Sequence, residues 1–516
     1  MSKNVYAGKR LNEKILEDAK QNKYAYDEEW NSIPWNKIEH SIHKLQCDIA
    51  SSEIEEDYRK ERNLQRLLLS KDGLIFYAIK NVTMFSNDCM IPGTDKMIIN
   101  SDSERMALYN FIKSVNIKDY NPVPMSIVRP KKKNKRQTVT MPTIIDRVYQ
   151  TMIRLALEPR VEVNFEPTSY GFRPLRNAGN AVARIYQYTR KGRKPWIFEG
   201  DFSSGFDTLN HDWILDQLGN FPGKILISKW LKAGYVHSNM FDMTDRRMLQ
   251  GGIISPLLAN VAMNGLDEAL GITYEREKIR NTVTYINQST KYAMIRYAGD
   301  FVVLCNTKEN AEEVYSLMEP YLEERGLTLT EDNTSITPLT DGFDFLGFNI
   351  REFQTQQGKK VLCRPSKDTL KRFRIRIKSI FIKYRSKGNI EMLIKELNDL
   401  LIHTAGYWRQ SSAEKAFKDI DYYVWKLTSK FLRRQHPNKS WGWIKEKYLK
   451  KDCHNKNRNA YILTSPDHPE IQLVRMADTP IKYAKTIKHN CNPYESEYKN
   501  YIKKAFNQTP FEYLYR

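Results

Sequence analysis

The sequence predicts an α+β fold in which a mostly antiparallel sheet is flanked by helical regions. Strand-like and helix-like segments alternate in the middle of the chain, whereas both ends show helical periodicity. The apolar runs 293–296 and 301–305 enclose the tetrapeptide Tyr297-Ala298-Gly299-Asp300, which predicts a β-hairpin with an acidic tip. Strands joined by so short a turn are antiparallel.

Residues 24–80 have the pattern of amphipathic helices. Apolar side chains recur there at helical spacing, among them Trp30, Ile33, Trp35, Ile38 and Ile42. The dipeptide Pro92-Gly93 predicts a loop over 89–102, and a further helix is predicted over 103–115.

The middle of the chain contains both types of segment. Strands are predicted over 126–129, 196–198, 327–330 and 342–350, and helices over 212–218 and 309–325. A basic run at 130–136 follows the first strand, and the second strand leads into Asp201.

Beyond residue 351 the chain becomes more basic. Cationic and apolar residues alternate on a helical pattern over 371–385, and residues 389–450 form a helical region rich in Trp, Tyr, Lys and Arg. From about residue 452 onward the sequence is polar, and we expect an irregular tail.

The composition indicates a polyanionic partner. The net charge is +21, the pI is about 9.4 and 12% of the residues are aromatic. Nucleic acid is the first candidate and an anionic membrane surface the second, while a basic surface kept for solubility is the plain alternative. We expect no membrane span, because no apolar run approaches the roughly 20 residues required. Early acidic residues also argue against a signal or transit peptide.

The cysteines suit a reducing compartment. All six are scattered, and no Cys-x-x-Cys pair occurs. This spacing argues against a zinc site and against a disulfide framework.

Asp201 and the hairpin tip are the candidate catalytic groups. Asp201 closes a predicted strand, and the aromatic Phe206 follows shortly after it. An aspartate in this position is usually a cap or turn residue. Combined with a Tyr-x-x-Asp hairpin downstream, however, the order is similar to that of template-directed polymerases. Their carboxylates hold two metal ions, and an aromatic ring excludes a 2′-hydroxyl.

Longer motifs make the resemblance specific. SYGFRPLRNA, FEGDFSSGFDTLNHDWIL, QGGIISPLLANVAMNGLDEAL, YAGDFVVL and GFDFLGFNI occur in that order. They resemble the successive motifs of group II intron-encoded reverse transcriptases. The segment from GYWRQSSAEKAF to SWGWIKEKYL resembles the maturase region, domain X, of the same family, and HNCNPYESEY resembles a stretch that follows it.

The resemblance implies a right-hand polymerase scaffold, with fingers and an antiparallel palm followed by a helical thumb and a helical domain X. It implies an N-terminal extension at 1–90, reverse transcriptase fingers and palm at 91–350, a thumb at 351–395, domain X at 396–450 and a C-terminal tail at 451–516. Many family members continue into an endonuclease domain with paired cysteines. We expect no endonuclease domain in this chain.

The resemblance also assigns residues. Asp201 and Asp300 would be the catalytic metal ligands, with Mg²⁺ as cofactor if polymerase activity survives. Nucleotide binding would use Arg173 at the triphosphate, Phe206 as the sugar gate, and Gln250, Gly251 and Gly252 beneath the nascent base pair. Basic and aromatic side chains would bind RNA: Lys131, Lys132, Lys133, Arg372, Arg376, Tyr407, Arg409, Arg433, Arg434, His436, Lys439 and Trp441. An ordinary amphipathic bundle with solvated lysines is the plain alternative for some of them.

Four departures from the family pattern concern the candidate polymerase site. Gly299 replaces the leading aspartate of the tip, and Asn333 replaces a lysine that would protonate the leaving pyrophosphate. Residues 247–252 and 136–142 also differ from the usual Gly-Thr-Pro-Gln-Gly-Gly and Arg-Pro-Leu-Gly-Ile-Pro. Neutral drift is the alternative explanation, yet Gly299 and Asn333 stand where the family keeps reacting groups. We therefore expect polymerase catalysis to be impaired.

We expect a group II intron maturase that binds intron RNA, or the host precursor RNA, and promotes splicing. The alternative is an active RNA-directed DNA polymerase that uses dNTPs, supports intron mobility and also binds DNA. A relative with a host defence role is a weaker hypothesis, because the domain X resemblance is nearly complete. The Lys-, Asn-, Ile- and Tyr-rich composition suits an AT-rich plastid genome, with the bacterial cytoplasm as the alternative location.

Overall fold

The computed structural model describes residues 3–85, 89–117, 119–128, 138–139, 141–202, 209–233, 235–237, 240–242, 252–279, 282–289, 291–329, 334–356, 358–386, 389–451 and 461–515. The basic run at 130–136 lies outside this described part. Seven predicted site residues also lie outside it: Lys131, Lys132, Lys133, Phe206, Gln250, Gly251 and Asn333.

The N-terminal region is helical, with the bounds α1 Lys3–Gln21, α2 Lys23–Asn31, α3 Trp35–Ile54, α4 Tyr58–Leu69, α5 Asp72–Lys80 and α6 Asp102–Ser114. The helices predicted over 24–80 and 103–115 are confirmed, whereas α1 precedes the residues for which helices were predicted. The Asp57 side chain accepts a hydrogen bond from Lys60 N at the start of α4. Ser101 and Glu104 form a capping box that begins α6. Because α6 packs against α1, α2 and α5, this helical layer reaches Ser114.

The middle region contains, in order, β1 Met125–Val128, β2 Thr138–Val139, α7 Ile144–Asn164, α8 Ala178–Thr189, β3 Trp196–Asp201, α9 His211–Gln217, α10 Lys224–Lys232, β4 Tyr235–His237, β5 Met240–Asp242, α11 Ser255–Ala262, α12 Leu266–Ala269, β6 Tyr274–Ile279, β7 Thr282–Asn287, β8 Tyr292–Tyr297, β9 Asp300–Cys305, α13 Lys308–Arg325 and β10 Thr334–Pro338. The central sheet has the order β10-β3-β9-β8 and is antiparallel throughout. A second sheet, β2-β1-β4-β5, has one parallel pair, β1 with β4.

The C-terminal region contains β11 Phe343–Phe345, β12 Phe348–Thr355, β13 Gly358–Pro365, α14 Lys367–Lys383, α15 Ile390–Trp408, α16 Glu414–Gln435, α17 Trp441–Tyr448, β14 Leu449–Lys451, β15 Tyr461–Leu463, α18 Lys499–Phe506 and α19 Pro510–Tyr515. Strands β11, β12 and β13 form an antiparallel sheet. None of the described helices has the length and apolar character that a membrane span requires.

The central sheet is buried on both faces, and its side chains alternate between two cores. Phe198, Phe301 and Val303 lie in the core that includes residues of α13. Their neighbours Ile197 and Val302 lie in the core shared with α8 and with the β11–β13 sheet. This period of two follows from the pleat of the strands.

Two strand predictions are wrong. Residues 327–329 form no strand; instead Leu327 and Leu329 are buried beside α13, and the edge strand β10 begins at Thr334. The predicted strand 342–350 is a hairpin, because Leu346 and Gly347 adopt φ of 51° and 79° and reverse the chain. An apolar alternation that continues across a two-residue turn hides the turn in the sequence.

The expected irregular tail is integrated into the fold. Arg184 Nη2 donates to Ile487 O at 2.6 Å, and Tyr494 Oη donates to Glu158 Oε1 at 2.5 Å. The Tyr515 ring is buried, and its hydroxyl donates to Gln46 Oε1 of α3. The C-terminal segment therefore returns to α8, α7 and the N-terminal helices.

Candidate active site and nucleic-acid interface

Two carboxylates meet at one end of the central sheet. Asp201 is the last residue of β3, Asp300 is the first residue of β9, and they lie opposite each other in the antiparallel register. Residues directly opposite in such a pair project from the same face. Both carboxylates line a groove of about 350 Å³, together with Glu199 and Asp344.

This carboxylate pair suits a hard divalent cation. Burial, followed by the negative charge of Asp201, raises the pKa of the Asp300 carboxyl to about 6. Carboxylate oxygens are the ligands that hard divalent cations prefer, and a bound cation would favour the ionised pair. No group of three or more His, Cys, Asp or Glu side chains in the described residues could hold a metal ion. In this arrangement the candidate donors are therefore Asp201 and Asp300, and a third carboxylate would have to move to join them.

The tip between β8 and β9 adds no side-chain ligand. Ala298 adopts φ of 55°, a left-handed conformation that residues other than glycine rarely occupy. Gly299 is buried, and its carbonyl accepts a hydrogen bond from Phe202 N at 3.0 Å. The glycine thus ties the tip to the chain just after Asp201 and offers no carboxylate to the groove.

The segment before α8 holds the tip in place. Tyr170 N donates to Arg296 O at 2.8 Å, and Arg296 N donates to Thr168 O at 3.1 Å, so this segment runs beside β8. A Cβ added to Gly171 would lie 2.3 Å from Ala298 N, closer than side chains approach backbone atoms. A glycine is required here because two backbones touch.

A buried polar network supports the same hairpin. The Arg296 guanidinium is fully buried and donates to Glu166 Oε2 at 2.9 Å and to Asn260 Oδ1 at 3.2 Å. The Asn260 amide also donates to Gly171 O at 2.9 Å. Sequence reasoning missed this network; its only signal was an arginine that interrupts an otherwise apolar strand.

Arg173 has a structural role in this fold. Its Nε and Nη2 donate to the Glu162 carboxylate at 3.1 and 2.8 Å, and its Nη1 donates to the carbonyls of Glu166 and Ser169 at 2.6 and 2.9 Å. Nη2 also donates to Glu162 O at 3.4 Å, so the guanidinium is fully engaged inside the protein. Breaking a buried pair of this kind costs about 3–5 kcal/mol. The contact of Arg173 with a triphosphate, which the resemblance implies, stays a prediction.

Gly252 lies just before α11. A Cβ there would lie 2.6 Å from Ser255 Oγ and 3.1 Å from Gln150 Oε1. Gln150 Oε1 also accepts a hydrogen bond from Ile253 N at 2.7 Å. Close packing against α7 accounts for this glycine, and its place beneath a base pair stays a prediction.

Helices α14 and α15 form a groove of about 830 Å³. Arg372 and Arg376 of α14 are exposed and line it together with Tyr407 of α15. The Tyr407 hydroxyl donates to Leu346 O at 2.8 Å, and its ring stacks on Phe348 at 5.1 Å between centroids. Burial raises the pKa of Tyr407 to about 12, so the hydroxyl stays a donor. The groove thus gathers three of the residues predicted to bind RNA.

A second cationic surface lies at the end of α16 and on α17. Arg433 and Arg434 are exposed, and the Arg433 guanidinium lies 5.0 Å from the centroid of the Trp441 ring. Lys439 Nζ lies 5.2 Å from the centroid of the Trp443 ring. Cations and rings therefore alternate on the surface, which is the arrangement expected of a nucleic-acid interface.

His436 and Arg409 are less accessible than their neighbours. The His436 ring stacks on Tyr448, and its Nε2 lies 2.8 Å from the Tyr448 hydroxyl. Burial and the charges of Lys447 and Lys439 lower the pKa of His436, so the ring is neutral at pH 7. Arg409 is half-buried, and its carbonyl accepts a hydrogen bond from Lys482 N at 2.8 Å. Direct contacts of these two residues with RNA stay predictions.

Three protein families match successive parts of the chain. The N-terminal domain of reverse transcriptase matches residues 30–112. Reverse transcriptase (RNA-dependent DNA polymerase) matches residues 128–350, which include the carboxylate pair. The maturase-specific domain of group II introns matches residues 370–449, which include both cationic surfaces.

The chain is also similar to individual proteins over much of its length. Protein YkfC of Escherichia coli is 29% identical over 378 residues, which cover 68% of this chain and 99% of that protein. The group II intron-encoded protein LtrA of Lactococcus lactis is 25% identical over 382 residues, covering 60% of this chain and 62% of LtrA. Maturase-like protein 1 of Euglena longa is 25% identical over 372 residues, covering 70% and 74%.

Proposed function

The chain belongs to the family of group II intron-encoded reverse transcriptases and maturases, and we propose that it binds an intron RNA and promotes the splicing of that RNA. The intron carries the groups that react, so the protein acts as a cofactor that holds the RNA in its active fold. The partner is the intron within its host precursor RNA.

The observation that carries this proposal is the exposed surface of α16 and α17. It lies within the maturase-specific match, and it presents Arg433, Arg434 and Lys439 beside the Trp441 and Trp443 rings. Guanidinium and ammonium groups neutralise phosphates, while aromatic rings stack on unpaired bases. The net charge of +21 supports the same partner.

The proposed binding of intron RNA is electrostatic, so its affinity should depend on the salt concentration. If the protein neutralises several phosphates, its affinity for intron RNA should fall by about 10³-fold or more between roughly 50 and 200 mM salt. Filter binding at a series of salt concentrations measures this slope. An affinity that stays level with salt would remove the electrostatic argument.

We further propose that polymerisation is impaired. A two-metal site depends on carboxylates that reach both ions, and Gly299 supplies none. If the lost stabilisation of the transition state is about 4 kcal/mol, the rate falls about a thousandfold. Mg²⁺ is the cation that Asp201 and Asp300 would hold, and the chemistry that it would supply is stabilisation of charge on the reacting phosphate.

One observation favours an active RNA-directed DNA polymerase as the second candidate function. Asp201 and Asp300 remain opposite each other in register, and Glu199 and Asp344 line the same groove. A neighbouring carboxylate or water would then replace the missing ligand. Primer extension on an RNA template decides between the two functions: robust incorporation that Asp201→Ala abolishes would favour the polymerase.

We propose a plastid as the compartment, on the Lys-, Asn-, Ile- and Tyr-rich composition, with the bacterial cytoplasm as the alternative. Sequencing the genomic surroundings of the gene tests this proposal. A plastid genome with the gene inside or near a group II intron is the expected result, and a bacterial chromosome would contradict it.

A further inference from the structure

A groove on the maturase-specific part of the molecule lies beyond the residues assigned above. It has a volume of about 430 Å³ and lies between one face of α16, strand β15 and residues 473–475. The side chains from α16 recur at helical spacing: Lys418, Asp421, Tyr422, Val424, Trp425 and Thr428. Leu473 N donates a hydrogen bond to Leu463 O at 2.9 Å, and this bond joins residues 473–475 to β15.

Exposed aromatic rings form the rim of this groove. The side chains of Tyr422, Trp425 and Tyr461 are 60%, 37% and 36% exposed, although large aromatic side chains are usually buried. Lys426 Nζ lies 4.4 Å from the centroid of Tyr422, and Lys445 Nζ lies 3.8 Å from that of Tyr461. A cation over one face of a ring leaves the opposite face free to stack. The rim therefore favours a flat ligand that carries negative charge.

The groove also contains a buried hydroxyl without a partner. Thr428 is 1% exposed, and its Oγ1 makes no hydrogen bond within the described part of the chain. Buried polar groups are nearly always hydrogen-bonded, because leaving one unpaired is unfavourable. Because Thr428 lines the groove, rotation of its side chain would bring Oγ1 within reach of a ligand atom there.

The groove is continuous with the cationic surface of α16 and α17. Trp425 meets Trp441 edge-on, with 6.4 Å between ring centroids, and Arg433 lies over Trp441. Lys418 and Arg475 line the groove itself. An RNA strand that follows Arg433 and Trp441 would therefore pass the rim.

We propose that this groove binds an unpaired nucleotide of the RNA, with its base against Trp425 and Tyr461 and a hydrogen bond to Thr428 Oγ1. The inference rests on the proposed RNA-binding function and specifies the class of RNA: a single strand, or a loop with an extruded base. A duplex keeps its base faces stacked inside, so it cannot fill the groove.

The test compares single-stranded and duplex RNA. The probe is an unstructured oligoribonucleotide of about eight nucleotides, within the site sizes of single-strand-binding proteins, with one 2-aminopurine whose fluorescence falls on stacking. The same strand annealed to its complement is the second ligand. The variants are Tyr461→Leu and Thr428→Val, with Tyr315→Leu as control because Tyr315 is an exposed ring on α13, outside the groove.

Single-strand affinity should fall about tenfold in Tyr461→Leu, from the loss of one stacked base. It should fall about threefold in Thr428→Val, from the loss of one hydrogen bond. Valine keeps the shape of threonine, so that variant remains folded and isolates the hydroxyl. The control should bind like wild type, and duplex affinity should be unchanged in all three variants.

Unchanged single-strand affinity in both groove variants would overturn the inference, and so would an equal loss for the duplex. Intron RNA serves as a third ligand in the same assay. If wild type binds intron RNA but the groove variants bind the oligoribonucleotide normally, only the groove assignment fails. If wild type binds no intron RNA, the proposed function fails.

Discussion

At the residue scale, Asp300 links the candidate metal site to the pH dependence of stability. Its pKa is about 6 in the folded protein, raised by burial and by Asp201, against an ordinary value near 3.8. The folded state thus binds the proton more tightly than the unfolded chain does. This contribution to stability is fully present below about pH 4 and is lost as the pH rises through about 6.

Replacing Asp300 by asparagine should therefore stabilise the protein at neutral pH. Asn does not ionise, so Asp300→Asn should be about 1 kcal/mol more stable than wild type above pH 6, after discounting for solvent that screens the exposed part of the Asp300 side chain. The difference should vanish below about pH 4, where the Asp300 carboxyl is protonated. Denaturant unfolding across this pH range measures it. A difference that is constant with pH would show that ionisation of Asp300 is not its cause.

The same variant tests the cation site without any assay of activity. Mg²⁺ should raise the melting temperature of wild type at neutral pH, because it binds the folded carboxylate pair. Mg²⁺ should raise the melting temperature of Asp300→Asn much less. Equal responses of the two proteins would place the bound Mg²⁺ elsewhere.

Repair of the polymerase site should be cooperative. Gly299→Asp returns a carboxylate and should recover only part of the nucleotide incorporation, because Asn333 still cannot donate a proton. Groups that act on one transition state couple strongly, so adding Asn333→Lys should exceed the sum of the two single gains. Steady-state primer extension measures nucleotide incorporation by wild type, by the two single variants and by the double variant. Additive gains, or activity that persists after Asp201→Ala, would contradict this coupling.

The sequence singled out Asp201 and Asp300 because a strand that leads into an aspartate is followed by a Tyr-x-x-Asp hairpin, an order similar to that of template-directed polymerases. The structure places the two residues opposite each other on β3 and β9, and their role as metal ligands stays a prediction. The sequence could not place Arg173, since whether an arginine meets a ligand or an internal carboxylate depends on a partner elsewhere in the fold. Glu162 and Glu166, which accept hydrogen bonds from Arg173, carry no local signal for these contacts.

At the scale of elements, the short helix α19 joins the two ends of the chain. Tyr515 is 8% exposed, its ring lies 5.1 Å from that of Tyr77 and 5.3 Å from that of Phe511, and its hydroxyl bonds to Gln46. This contact covers part of the N-terminal core with residues that are remote in sequence. Helix α19 should therefore contribute to global stability.

Truncating the buried ring should be costly. Tyr515→Ala should destabilise the protein by about 3 kcal/mol, the usual cost of removing a large core side chain. Tyr24→Ala, at a ring that is 87% exposed, should change stability by less than about 0.5 kcal/mol. Chemical denaturation compares both variants with wild type. A loss at Tyr515 no larger than that at Tyr24 would mean that α19 is not part of the cooperative unit.

Helices were easier to predict than the strands and the tail. Long amphipathic patterns such as residues 24–80 and 309–325 correspond to observed helices, because a 3.6-residue period repeats many times within them. Leu327 and Leu329 have a strand-like alternation, yet tertiary packing buries them beside α13 without a strand partner. The C-terminal segment is polar, and contacts with α7, α8 and α3 hold it in place. No local sequence pattern predicts these contacts.

At the scale of the whole molecule, the carboxylate groove and the cationic surface of α16 and α17 are separate, and we assign different roles to them. The carboxylate groove lies at the central sheet, and the cationic surface lies on α16 and α17. Because they belong to different parts of the chain, one can lose its chemistry while the other is retained. We propose that splicing depends on the second surface and not on the first.

A splicing assay tests this claim most directly. The substrate is a precursor RNA with a group II intron of the source genome, and the measured quantity is the rate at which ligated exons appear. The variants are Asp300→Ala and the double variant Arg433→Ala with Arg434→Ala. The control is Lys291→Ala with Lys308→Ala, which removes the same number of positive charges. Lys291 lies near Glu313, and Lys308 lies near Glu312.

The arginine double variant should splice at least about tenfold more slowly than wild type, since each lost phosphate contact weakens RNA binding. Asp300→Ala and the lysine control should splice at wild-type rates. Melting temperatures should be similar, because both arginines are exposed. If Asp300→Ala abolished splicing and the arginine double variant did not affect it, the roles assigned to the two surfaces would be reversed.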